Sequence, residues 1–160
     1  MTAKRLGLVV AIGRNGVIGN AGGLPWSYPD DRAHFEALTH GHVVVMGRRT
    51  WEETGGPLAG RTNLVVSRGL SARAPDDVLV VPTLADALAI AWSLDEMPFV
   101  IGGTRLFEAA LSSVTDAYVT RIPEAPEGDT RFVFDSREFF LHDTRLGSRG
   151  LAFEHWKRAA

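Results

Sequence analysis

Short unbroken runs of aliphatic residues recur along the chain, each ending at a glycine or polar break and followed by a segment of helical spacing. The runs are 6–12 (LGLVVAI), 42–47 (HVVVMG), 62–67 (TNLVVS), 77–81 (DVLVV), 98–103 (PFVIGG) and 116–122 (DAYVTRI). Val, Ile and Leu without polar alternation predict strands covered on both faces, as in a largely parallel sheet. The segments 29–40, 48–55, 83–93 and 104–111 are predicted helices. The late segments 131–135 (RFVFD) and 151–156 (LAFEHW) have no helix between them, which predicts an antiparallel hairpin closing a sheet edge. Loops are expected at 13–25, 68–76 and 123–130, where Gly, Asn and Pro gather. The pattern is that of one α/β domain over residues 1–160, a mostly parallel central sheet flanked by about four helices.

Composition narrows the function classes. A chain of 160 residues encloses a real core. It has no cysteine, which removes disulfides, thiolate catalysis and cysteine metal sites, and suits the cytoplasm. A net charge of -2 argues against a nucleic-acid surface. The opening MTAKRLGLVVAIG reads as a first buried strand rather than a leader, and no stretch approaches a membrane span. Five histidines form no HExxH or other ligand set, so no metal site is expected.

Candidate chemistry begins at WSYPDDRAHF, residues 26–35. Ser27 and Asp30 have the spacing of a capping box, with Pro29 in the first turn, where a missing N–H costs nothing. Asp31 has no such task. Phe35 and Leu38 follow it by four and seven residues, so it heads a stripe that ought to be apolar. Either it rests at the solvent end of that stripe, helped by the helix dipole, or it is a partly buried acid that anchors a polar ligand.

Two further stretches have one form. MGRRT (46–50) and VIGGTR (100–105) each run from a strand through glycine into a helix, with Arg48, Arg49 and Arg105 nearby. Amide groups at such turns suit phosphates, and arginines suit a further phosphate, as NADP carries. Tight turns and solvated arginines explain the same residues without a ligand, and the G-x-G-x-x-G fingerprint is absent.

Taken in order, VVAIGRNGVIGNAGGLPW (9–26), YPDDRAHF (28–35), VVMGRRTWE (44–52), PLAGRTNLVVSR (57–68), FVIGGTRLFE (99–108) and YVTRI with EGDTRF (118–132) resemble dihydrofolate reductase. The resemblance runs from about Leu6 to Phe132; the tail has a compatible pattern but no identifying motif. It implies NADPH as cofactor, 7,8-dihydrofolate as substrate, antifolates as inhibitors and, by default, a monomer. The family's pterin-binding acid falls on Asp31, leaving Asp30 the helix cap.

Other roles are implied in the same way. Trp26 orders water for proton delivery or is a half-buried loop aromatic, Leu24 belongs to a mobile flap over 13–25 or to an ordinary flexible loop, and Thr120 bonds the acid and the pterin amino group or is there for its β-branching. Arg61 clamps a tail carboxylate, while Val9, Val10, Phe35, Leu58, Ile101 and Phe107 form apolar walls; each of these six also reads as plain core. Ala11, Ile18, Gly19, Gly47, Arg48, Arg49, Thr50, Ser67, Arg68, Gly102, Gly103, Thr104, Arg105 and Leu106 match cofactor positions, and a cis Gly102–Gly103 bond is implied. Arg32 and Glu36 add charge beside the acid and the tail site, and Gly56 replaces a frequently basic or polar residue; Arg32 is expected either to lower the Asp31 pKa or to contact the ligand tail. The rival readings are a pyrimidine reductase of the same fold, which lacks the W-x-x-P-x-D helix, and a binding protein without turnover.

Overall fold

The computed structural model describes residues 4–19, 24–69, 75 and 77–160. An eight-stranded sheet dominates. Its strands are β1 (Gly7–Gly13), β3 (Val43–Gly47), β4 (Thr62–Val66), β5 (Leu79–Val81), β6 (Phe99–Gly102), β7 (Asp116–Ile122), β9 (Phe139–Leu146) and β10 (Ala152–Arg158). The order is β5-β4-β3-β6-β1-β7-β10-β9. The first six run parallel, and β10 lies antiparallel to both β7 and β9. The aliphatic runs behave as their composition requires: Val43, Val44, Val45 and Met46 are all buried, with layers against both faces.

Four helices connect the parallel strands. They are α1 (Pro29–Thr39), α2 (Arg48–Thr54), α3 (Leu84–Leu94) and α4 (Thr104–Ala110). Thr83 caps α3 by accepting from the Asp86 amide at 3.1 Å, and Ala87, Leu88 and Ala91 form its buried face. α2 stops at Gly55, whose φ of 72° is the left-handed conformation that ends helices.

Two expectations need correction. The C-terminal hairpin exists, but β9 and not 131–135 partners β10. Of that segment only Arg131 is in a strand, β8 (Thr130–Arg131), paired with β2 (Val17–Gly19) in a small second sheet. Phe132 and Phe134 plug the main core while Val133 is 81% exposed, so the alternation came from packing without a ladder. β9 is easily missed because only its first residue, Phe139, is buried. The second correction concerns the cap of α1. Its N-cap is Tyr28, with no side-chain cap bond, and Ser27 and Asp30 do not form a box. Asp30 instead accepts from the amide and hydroxyl of Ser148 at 3.0 and 2.6 Å, tying the helix start to the β9–β10 connection. No described helix is long and apolar enough to cross a membrane.

Candidate active site

The carboxyl ends of β1, β3 and β6 open into a cleft of about 1100 Å3. Open parallel sheets bind ligands there because the helices that follow the strands begin there. Single small-molecule pockets run to about 1000 Å3, so this one lies at the large end of that scale.

One end is walled by α1. Asp31 faces the cleft together with Phe35, one helical turn on, and with Val9, Val10, Leu58 and Ile101. Burial pushes the Asp31 carboxyl above its usual value of 3.8, and a hydrogen bond with Thr120 on β7 pulls against it. Thr120 is itself buried, beneath the acid and not on the cleft surface. Arg32 is exposed and is not among the groups that move the Asp31 pKa, so the first of its two expected roles fails, but it does line the cleft. Burial, then the nearby Arg145, hold His34 down to about 4, so its ring is neutral near pH 7. Asp31 is left as the acid of this wall. Trp26 also lines it, and its indole Nε1 is buried with no hydrogen-bond partner. A buried donor in that state calls for a water or a ligand atom.

The other end is built from two glycine turns. Gly47 precedes α2 and Gly103 precedes α4, and no described side chain caps either helix. The Gly102–Gly103 peptide is cis. A Cβ on Gly47 would lie 3.8 Å from the Gly102 oxygen and 4.0 Å from the Gly103 nitrogen, so the two turns face each other. A Cβ on Gly102, whose φ is 145°, would lie 2.9 Å from the Thr50 hydroxyl. Bare backbone held open in this way is what a pyrophosphate needs for close approach. Arg48, Arg49, Thr50, Thr104, Arg105 and Leu106 line the same end. Ala11, Ile18, Gly19, Leu24 and Phe107 line the cleft as well. The chain therefore fits a dinucleotide.

Some expected residues stand elsewhere. Ser67 and Arg68 follow β4 and do not line the cleft, and neither does Arg61, whose guanidinium is packed beside Phe35. Glu53, Thr54, Glu108, Asp129, Thr130 and Arg131 line it unforeseen. Arg49 approaches Glu53 at 3.4 Å and Asp129 at 3.7 Å, and Thr104 Oγ1 donates to the Arg131 oxygen at 3.0 Å. Arg131 within EGDTRF was the available signal, a cation next to a Gly-Asp turn. Tyr28 and Ser27 also reach the rim. Tyr28 donates to Glu124, which raises its phenol pKa, and Arg149 stacks on its ring at 4.4 Å. The expected flap is partly ordinary structure: Val17–Gly19 is strand, and Asn15 Nδ2 donates to the Pro126 oxygen at 2.7 Å. Residues 20–23 of that flap lie outside the described residues.

A cleft with an acid anchor at one end and amide-rich glycine turns at the other is shaped for two partners lying edge to edge. Among α/β proteins built on an open parallel sheet that is the class of nicotinamide-dependent reductases. Residues 5–150 match the family of dihydrofolate reductase, and the chain belongs to that family. It is 42% identical over 127 residues to dihydrofolate reductase type 3 of Salmonella typhimurium, covering 79% of this chain and 77% of that one. It is 40% identical over 148 residues to dihydrofolate reductase of Mycobacterium tuberculosis, with 91% and 86% covered. Dihydrofolate reductase of Enterococcus faecalis, solved with NADP(H) and RAB-propyl, superposes with a TM-score of 0.91 at 30% identity, covering 98% and 97% of the two chains.

Proposed function

We propose that this single-domain, cytoplasmic protein reduces 7,8-dihydrofolate to tetrahydrofolate with NADPH, and that Asp31 anchors the pterin. The observation that carries the reading is a half-buried carboxylate, pushed up by its surroundings, in an apolar cleft beside two glycine turns. The pterin edge presents an N–H and an amino group side by side, a donor pair that one carboxylate accepts through both oxygens. Among the described residues no cation acts on Asp31, so its charge is available to the ligand. The reduced nicotinamide, when bound, supplies a hydride for pterin C6.

The chain supplies the rest. A negative Asp31 favours the pterin protonated at N5, the form that accepts hydride more readily. The acid grips the far edge of the ring, so water delivers that proton, and the unpartnered Trp26 N–H holds the water. Leu24, 63% exposed at the mouth, closes over the ring and excludes bulk solvent. Thr120 keeps the Asp31 carboxylate turned into the cleft. Val9, Val10, Phe35, Leu58 and Ile101 sandwich the pterin; Gly47, Gly102 and Gly103 receive the pyrophosphate, and the arginines beside them the extra phosphate of NADPH. Gly19, Ala11 and Ile18 border the nicotinamide end. The pyrimidine-reductase reading has no support in these relatives, each named a dihydrofolate reductase.

The test is nicotinamide absorbance with dihydrofolate, run with NADPH and NADH in parallel. The expected result is steady oxidation of NADPH, slower with NADH, and a fall in turnover of at least about a hundredfold in Asp31→Asn, as for loss of a positioned charge. No oxidation by the wild-type protein rejects the reading.

A further inference from the structure

The charges beyond Phe35, where a ligand anchored at Asp31 leaves the cleft, carry one more conclusion. Arg61 presents an unusual balance: its side chain is only 4% exposed, yet the one carboxylate it reaches among the described residues, Glu36, is 55% exposed. A guanidinium that deep needs an anion. Its Nε donates to the Ala59 oxygen at 3.0 Å, and Nη1 donates to the Thr39 hydroxyl at 3.1 Å. Thr39 is fixed in turn, donating to the Phe35 oxygen at 2.8 Å. The fork is thus positioned by protein groups, with Phe35 flanking it at 5.9 Å.

The anion, by contrast, is loosely held. Both Glu36 oxygens lie 3.2–3.4 Å from Nη2, longer than the roughly 2.7–2.9 Å of a tight charge-assisted bond. A rigid buried cation with a loose, water-exposed partner is a socket with an exchangeable occupant. Dihydrofolate carries a glutamate tail with two carboxylates, and the path from Asp31 past Phe35 brings that tail to this socket.

Resting on the function proposed above, we infer that Glu36 is a specificity-determining residue that competes with the substrate's tail carboxylate for Arg61. Tail binding must displace Glu36 and then tolerate its negative charge nearby. The enzyme therefore discriminates weakly between dihydrofolate and pterins that lack the tail.

The experiment compares kcat and KM for dihydrofolate and for 6-methyl-7,8-dihydropterin, with saturating NADPH, in wild type and Glu36→Gln. The expected result is a ratio of kcat/KM, dihydrofolate over dihydropterin, that rises by about two- to fivefold, the scale of one half-exposed charge contact, through KM for dihydrofolate. Glu36→Ala gives the same reading if the Gln variant melts too low to assay. An unmoved or lowered ratio, with both substrates turned over, overturns the role of Glu36 alone. Absence of NADPH oxidation with either substrate overturns the proposed function and this inference with it.

Discussion

Asp31 is pulled two ways by its surroundings, and the balance fixes how activity and stability depend on pH. Burial raises its pKa and the Thr120 hydrogen bond lowers it, with burial the larger influence. A folded value above the unfolded one means that the proton's stabilisation is fully present below about pH 3.8 and lost as pH rises through the raised value. At neutral pH the folded apoprotein therefore bears a charge it would be more stable without. Asp31→Asn is expected to raise the melting temperature of the apoprotein near pH 7, by a few degrees at most, and to match wild type in acid, while turnover collapses. Melting curves at several pH values check this, and a lower melting temperature for the variant at pH 7 would contradict it. The acid limb of kcat/KM should lie above the ordinary carboxylate range for the same reason.

At the scale of elements, the start of α1 shows where local sequence is a poor guide. Ser27 and Asp30 have capping-box spacing, yet Asp30 is drawn to Ser148, far along the chain. Those two bonds, first the hydroxyl and then the amide, lower the Asp30 pKa, so its contribution is present above about 3.8 and lost as pH falls through the depressed value. Ser148→Ala should lower the melting temperature slightly at neutral pH, and the difference from wild type should vanish in acid. A constant difference across pH would show that the contact acts through packing instead. The staple was invisible in the sequence because it joins residues 118 apart. The parallel strands and four helices were legible because each carries its own period: unbroken aliphatic runs, then a helical stripe. β9 was not, since an edge strand exposed along nearly its whole length carries no such stripe. In the cleft, residues on strand ends and glycine turns were legible. Glu53 and Asp129 were not, because acids on solvated faces look alike until folding sets them around an arginine.

The whole molecule is a sheet whose central strands, β3, β6 and β1, end at the cleft, and β6 and β1 each hand a residue to both halves of it. Ile101 with Gly102 and Val10 with Ala11 do so directly, while on β3 the fully buried Met46 runs straight into Gly47, so one ligand on the glycine turns bears directly on the core. Because a ligand that binds only the folded state stabilises it by mass action, NADPH should act on the entire cooperative unit. At about one hundred times its Kd the gain is about 2.7 kcal/mol. For a chain of this size that is roughly 5–10 °C in Tm, at about 2–4 °C per kcal/mol. Gly102→Ala separates this effect from general stability. Its new Cβ would press on the Thr50 hydroxyl at 2.9 Å, at a φ of 145° that favours glycine, and would obstruct the facing turn. The variant should start from a lower Tm and lose most of the NADPH-induced rise, measured against its own apoprotein by scanning fluorimetry. A full rise in Gly102→Ala would mean that the cofactor does not lean on this turn, and the phosphate end of the cleft would have to be sought among the other arginines.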